Sequence, residues 1–147
     1  MTNMKQITIK VAWNNSAFEG LVSSETSYGE MKIVTKDFND IIDMGEAELK
    51  IGFDGYTEFG LELPEWYKNK EYEFVYKFQD VTAMLKAYSS YVSLAAISRE
   101  TGINSALLSH YANGLKVPRN KQQKIIVSGL HRIGALLSKC TIDDERK

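Results

Sequence analysis

SLAAISRETGINSALLSHYANGLKVP, residues 93–118, is the stretch on which the reading of this chain turns. Ser93 is placed to cap a helix over LAAISRET, because a serine oxygen before the first turn accepts a hydrogen bond from an otherwise unpaired amide. Gly102 ends that helix, since a sharp turn needs a left-handed residue and glycine adopts it without a steric cost. Asn104 caps a second helix, SALLSHYAN, which Gly114 ends. Two short helices separated only by Gly102–Ile103–Asn104 are expected to cross as a tight helix–turn–helix. Ile97, Ile103, Leu108 and Tyr111 then meet in a small core, and the small residues Ala95, Ala96 and Ser98 let the helices approach. Ser105, Ala106, Ser109 and His110 are left on the free face, near the helix end that approaches base edges in such motifs.

The residues that follow are basic. Asn113, Lys116, Arg119, Lys121 and Lys124 are spaced to meet phosphates flanking the second helix, and Arg99 adds to the electrostatic attraction. The 147 residues carry a net charge of −1. That value conceals a division: residues 1–92 hold 9 Lys and Arg against 15 Asp and Glu, a net of −6, whereas residues 93–147 hold 9 against 4, a net of +5. A basic module suits nucleic acid and an acidic one suits a basic protein. Pro118 precedes a long last helix with Ile125, Ile126, Gly129, Leu130, Ile133 and Leu137 at helical spacing.

The first part of the chain changes period. QITIKVAW, AFEGLV (Ala17 to Val22) and EMKIVT (Glu30 to Thr35) alternate as strands, with a turn at Asn14–Asn15–Ser16 and a polar loop over Ser23–Gly29. Phe38, Ile41, Ile42, Gly45 and Leu49 then form a helical stripe, with Thr35 expected as the N-cap and Asp37 favouring the positive end. Gly52, Gly55, Gly60 and Pro64 are expected to punctuate a long connection. YEFVYKFQ (Tyr72 to Gln79) is a strand with Tyr72, Phe74, Tyr76 and Phe78 on one face, packed beneath the helix rather than offered to RNA bases. Asp80 is expected to cap VTAMLKAYSSY, with Val81, Met84, Leu85 and Tyr88 as its stripe. The expected fold class is α+β: a small antiparallel sheet with a helix over residues 1–79, then an all-α helix–turn–helix domain over 80–140 and a polar tail over 141–147.

SLAAISRETGINSALLSHYANGLKVPRNKQQKI is similar to the helix–turn–helix of the Xre/Cro repressor class, and with YEFVYKF leading into it the chain resembles the HicB-family antitoxins. The resemblance is detailed over residues 72–137 and architectural before them. It implies a partial ribonuclease-H-like N-terminal domain that binds and blocks a HicA toxin, an mRNA-cleaving ribonuclease, and a C-terminal domain that represses the operon by binding double-stranded operator DNA. By position, Ser105, Ala106 and His110 match the family's base-facing sites, and Asn104, Asn113 and Lys116 its backbone-contacting ones. The chain departs from the family where NNSAFEGLVSSETSYGEMK lacks the usual Pro–Gly, and where Leu94 replaces the glutamine common in Xre proteins.

Catalytic chemistry is not expected. His110 is read as a groove-facing residue, His131 as a surface or interface histidine, and Cys140 as a small apolar contact. Asp37, Asp40 and Asp43 read as a solvated helix face, and Glu19, Glu30 and Glu73 are too scattered along the strands for a two-metal site. No cofactor or metal is expected. No run approaches the ~18 apolar residues of a membrane span, the N-terminus lacks a signal-peptide core, and the single cysteine excludes an intramolecular disulfide, so a cytoplasmic location is expected. A dimer or higher oligomer is expected because one recognition helix reads few bases; the stripe Ile126, Leu130, Ile133 and Leu137 serves either that interface or packing within the domain. An alternative remains open: a solitary Xre-type regulator whose N-terminal domain serves oligomerisation or ligand sensing.

Overall fold

The computed structural model describes residues 4–23 and 31–144. The chain divides into two compact units, Met1–Ala87 and Tyr88–Lys147, a division that falls later than the change from strand to helix at Asp80. The described residues form a mixed α/β structure with a four-stranded sheet and six helices.

In the first unit, β1 (Lys5–Asn14) and β2 (Ala17–Val22) form a hairpin. Its turn residues Asn15 and Ser16 have φ of 52° and 61°, the positive values that match the twist of a two-residue hairpin. β3 (Met31–Thr35) pairs antiparallel with β2; Glu30 and the loop before it lie outside the described residues. β4 (Tyr72–Phe78) pairs with β1, and the strand order is β3-β2-β1-β4. That pairing is parallel, so the sheet is mixed, not antiparallel as the sequence reading had it. The reason lies in the connection: from β3 the chain runs through α1 (Phe38–Glu58) and α2 (Glu65–Lys68) before reaching β4. Such a long helical crossover lets the returning strand keep the direction of the first.

Period-two alternation puts Ile7, Ile9, Val11, Phe18, Val22 and Ile33 on one sheet face, and all six are buried. The α1 residues Phe38, Ile41, Gly45, Leu49 and Phe53 are likewise buried. A methyl carbon on Gly45 would lie 2.9 Å from Ile9 Cδ1, so this glycine sets how closely helix and sheet approach. The aromatic face of β4 meets α1, with Phe38 5.3 Å from the Tyr76 ring and 5.7 Å from that of Phe78. Tyr72 stacks on Tyr67 and donates a hydrogen bond to Glu46 Oε1.

Three local expectations are corrected. Asp37, not Thr35, caps α1: Asn39 N–H donates to Asp37 Oδ1 at 2.9 Å, while Thr35 Oγ1 donates to Asp40 Oδ2. The helix does not stop before Gly52 but continues to Glu58, burying Gly52 and Gly55. It ends near Gly60, where φ is +70°. Burial of a flat glycine face outweighs the ~1 kcal/mol each interior glycine costs in helix propensity. Finally, α3 (Val81–Tyr88) ends at Tyr88 rather than Tyr91, where Tyr91 N–H and Val92 N–H both turn back to the Tyr88 carbonyl at 2.9 Å. Its start is as expected, with Ala83 N–H donating to Asp80 Oδ1 at 2.8 Å.

The second unit contains α4 (Leu94–Thr101), α5 (Ser105–Ala112) and α6 (Asn120–Leu137). Ile97, Ile103, Leu108 and Tyr111 are buried together with Ile126 of α6. Gly129 is the contact point of α4 and α6, since a methyl carbon there would sit 2.5 Å from Thr101 Cγ2. Beside it, Arg132 donates to the Glu100 carboxylate at 2.6 Å and to the Glu100 carbonyl at 3.0 Å, covering an unpaired carbonyl at the end of α4. In the last turns of α6 the stripe opens to solvent: Ile126 is buried, Leu130 and Ile133 half-buried, and Leu137 61% exposed. Cys140 is exposed.

Candidate nucleic-acid interface

The site is built on the α4–α5 junction, where every residue type has a local reason. Ala96 N–H donates to Ser93 Oγ at 3.1 Å and starts α4. At its end, Gly102 adopts φ +76° and its N–H donates to Ser98 O at 2.8 Å. The link itself is held by side chains: Ser98 Oγ donates to Ile103 O at 2.5 Å, and Ile103 N–H donates to Thr101 Oγ1 at 3.2 Å. Thr101 Oγ1 in turn donates to Ile97 O at 2.7 Å. The backbone groups of a turn would otherwise be half-buried and unpaired, at a cost of ~1–3 kcal/mol each. The sequence reading missed these roles, having taken Ser98 only for a small residue at a crossing. The signal was there in two hydroxyls placed in the last turn before a glycine.

α5 begins with Ala106 N–H donating to Asn104 Oδ1 at 2.7 Å. It ends in a paired termination, Gly114 N–H to Tyr111 O at 3.2 Å and Leu115 N–H to His110 O at 2.9 Å, with Gly114 at φ +73°. These two bonds define the glycine-dependent Schellman stop. With Leu108 and Tyr111 buried, 100° per residue puts Ser105, Ser109, Asn113, Ala106 and His110 in one arc of about 140° on the other side. Ser105, Ala106 and Asn113 are exposed, while Ser109 and His110 are half-buried. Asn113 Nδ2 lies 3.4 Å from Ser109 Oγ, so these two polar groups are coupled. Asn104 spends its side-chain oxygen on the cap, which leaves its amide NH₂ free to donate outward.

The expected basic residues are exposed without exception: Arg99 on α4, Lys116 and Arg119 between α5 and α6, Lys121 and Lys124 on the first turns of α6. Lys121 and Lys124 are brought together with Thr101, Ser128 and Arg132 around an open depression of about 520 Å³. Arg132 is thus a cation of this surface that the sequence reading did not single out. Lys116 stands between two exposed apolar side chains, Leu115 at 71% and Val117 at 82%. Among the described residues, no group of three His, Cys, Asp or Glu side chains is placed to hold a metal ion. No described helix is long and apolar enough to cross a membrane.

Comparison of the chain with family models, with curated proteins and with solved structures finds no match.

Proposed function

We propose that this chain is an antitoxin-type transcriptional regulator of HicB-like organisation. Its C-terminal unit holds double-stranded operator DNA through a helix–turn–helix, and its N-terminal unit neutralises a basic, HicA-like mRNA-cleaving toxin. The observation that carries the reading is the α4–α5 junction. Two eight-residue helices are locked by caps at both ends, and the arc opposite their core holds only small and polar side chains. A helix presenting Ser105, Ala106, Ser109 and His110 without bulk can lie in the ~12 Å major groove with its N-terminal turn against base edges. Lys116, Arg119, Lys121, Lys124 and Arg99 then take the phosphates.

The N-terminal half of the proposal rests on charge and shape. The outward side of α1 exposes Asp40, Asp43 and Glu58, with Asp54 ion-paired to Lys50 at 2.9 Å, beside an apolar strip of Met44 and Ile51, which are 42% and 60% exposed. An acidic edge beside a greasy strip complements a ribonuclease, which must itself be positive to hold RNA. Steering by this field strengthens as salt falls.

The proposal is tested by separating phosphate contacts from base contacts. Lys116→Ala and Arg119→Ala weaken binding to operator and random DNA alike, each reducing the salt slope by about 1. His110→Ala instead changes which sequence is preferred, by about 1–3 kcal/mol at one position. Equal losses for His110→Ala on both DNAs remove the base-reading role. A second reading, a solitary regulator with a sensing N-terminal unit, is favoured by the exposed lysines Lys10, Lys32 and Lys77, which the strand register brings together on the sheet face turned away from α1.

A further inference from the structure

The sheet of the first unit has a second face, turned away from α1. Alternation puts Lys10, Leu21, Lys32 and Lys77 on it, and the strand registers place them in a single cross-strand row. Lys32 pairs with Leu21, Leu21 with Lys10, and Lys10 with Lys77. All three lysines are exposed and Leu21 is half-buried. The row lines a concavity of about 590 Å³ with Ala12, Asn14, Glu19 and Gln79, a volume in the range of small-molecule sites.

This arrangement is unfavourable for the fold alone. Like charges directly opposite on neighbouring strands destabilise a sheet, and Lys10 and Lys77 are such a pair. Among the described residues neither has an ion-pair partner, whereas Lys32 lies 3.5 Å from Glu19 Oε1. Asn14 Nδ2 donates to the other Glu19 oxygen at 3.1 Å and orients that carboxylate. The unit is acidic overall, yet it concentrates three of its lysines in one row of its open face.

We propose that this face binds a small organic anion carrying two phosphate or carboxylate groups. Lys10 and Lys77 converge on one group. Lys32, two strands away from Lys10 and so about 10 Å distant at a spacing of ~4.8 Å, takes the other. Leu21 and Ala12 lie beneath the body of the ligand, and Glu19 with Asn14 accepts or donates a hydrogen bond to its polar substituents. The inference stands on the sheet alone and does not depend on what the C-terminal unit binds.

The test is a two-dimensional amide NMR titration of the full chain with fructose 1,6-bisphosphate, citrate and inorganic phosphate, at constant ionic strength because surface attraction is screened by salt. The expected result is saturable shifts at Lys10, Leu21, Lys32 and Lys77 with the bisphosphate or citrate, and weaker binding of inorganic phosphate. A phosphate preference and a carboxylate preference are told apart by which of the first two binds more tightly. The double variant Lys10→Gln/Lys77→Gln raises the dissociation constant at least tenfold while leaving the remaining amide spectrum and the melting temperature intact or slightly raised. Absence of shifts at the row overturns the proposal, as do shifts confined to residues 116–124 or binding unchanged in the double variant.

Discussion

The two units of this chain solve the same problem with different means. In the first, a sheet and a long helix bury large apolar faces, with Ile7, Ile9, Ile41 and Phe53 essentially out of solvent, and glycines regulate the approach of one layer to the other. In the second, three helices, two of them only eight residues long, share a small core of Ile97, Ile103, Leu108, Tyr111 and Ile126 with Pro118 beside it. The ends of α4 and α5 are fixed one by one with hydroxyls, amides and glycines. The lesson is that a thin core is compensated by satisfied termini: short helices are marginal by themselves in water, so caps and the Ser98 and Thr101 bonds contribute a larger share of the stability there.

The largest expected effect breaks that comparison at its centre. Leu108 is wholly buried, and Leu108→Ala is expected to destabilise the second unit by about 2–5 kcal/mol. Hydrogen exchange should then show protection lost across α4, α5 and α6 and kept across β1 and β2. Loss of protection in both units together would mean that they fold as one. Next in size, Gly129→Ala forces a carbon against Thr101, whose hydroxyl is already held by Ile97 and Ile103. A loss of about 1–3 kcal/mol in thermal or denaturant unfolding is expected. Gly134→Ala, five residues later on the same helix and with open space around it, should instead be neutral or stabilise by up to ~1 kcal/mol. Equal effects at the two glycines would contradict the close α4–α6 contact. The smallest effect sharpens the first unit: Asp37→Ala should cost about 1 kcal/mol as a lost N-cap, and Thr35→Ala less, and a reversal of that order would restore Thr35 as the cap.

The same contrast explains what was legible in the sequence. Ser93, Gly102, Asn104 and Gly114 act within four or five residues of themselves, so their roles can be read from local chemistry, and the core of Ile97, Ile103, Leu108 and Tyr111 follows from helical spacing. The true length of α1 is hidden in the sequence because Gly52 and Gly55 look like breaks until the surface they pack against is known. The parallel pairing of β4 with β1 depends on where a 36-residue connection between β3 and β4 returns, residues 36–71, and nothing in YEFVYKF encodes direction. α2, capped at Pro64 with only four residues, has no period to detect. The lysine row is likewise invisible along the chain, since Lys10, Lys32 and Lys77 come together only through the strand register. Of the candidate interface, the polar arc of α5 and its flanking cations were readable because they lie in one continuous segment. Arg132 was not: it lies on the same face of α6 as Lys121, Lys124 and Ser128 but two to three turns further along, outside the segment that flanks α5.

The central claim is that α5 reads DNA bases, and salt-titrated binding tests it most directly. The full chain is measured on the DNA upstream of its own coding sequence and on a scrambled duplex of the same length, with and without any co-encoded small basic protein. Five cations facing five phosphates imply a salt slope of about −4.5 per copy on both duplexes. The upstream DNA is expected to bind at least a hundredfold more tightly at every salt concentration, with the preference altered when the partner is added. Equal affinity for the two duplexes, with the same steep slope, would mean that residues 102–114 form an ordinary helix on a basic surface and read nothing.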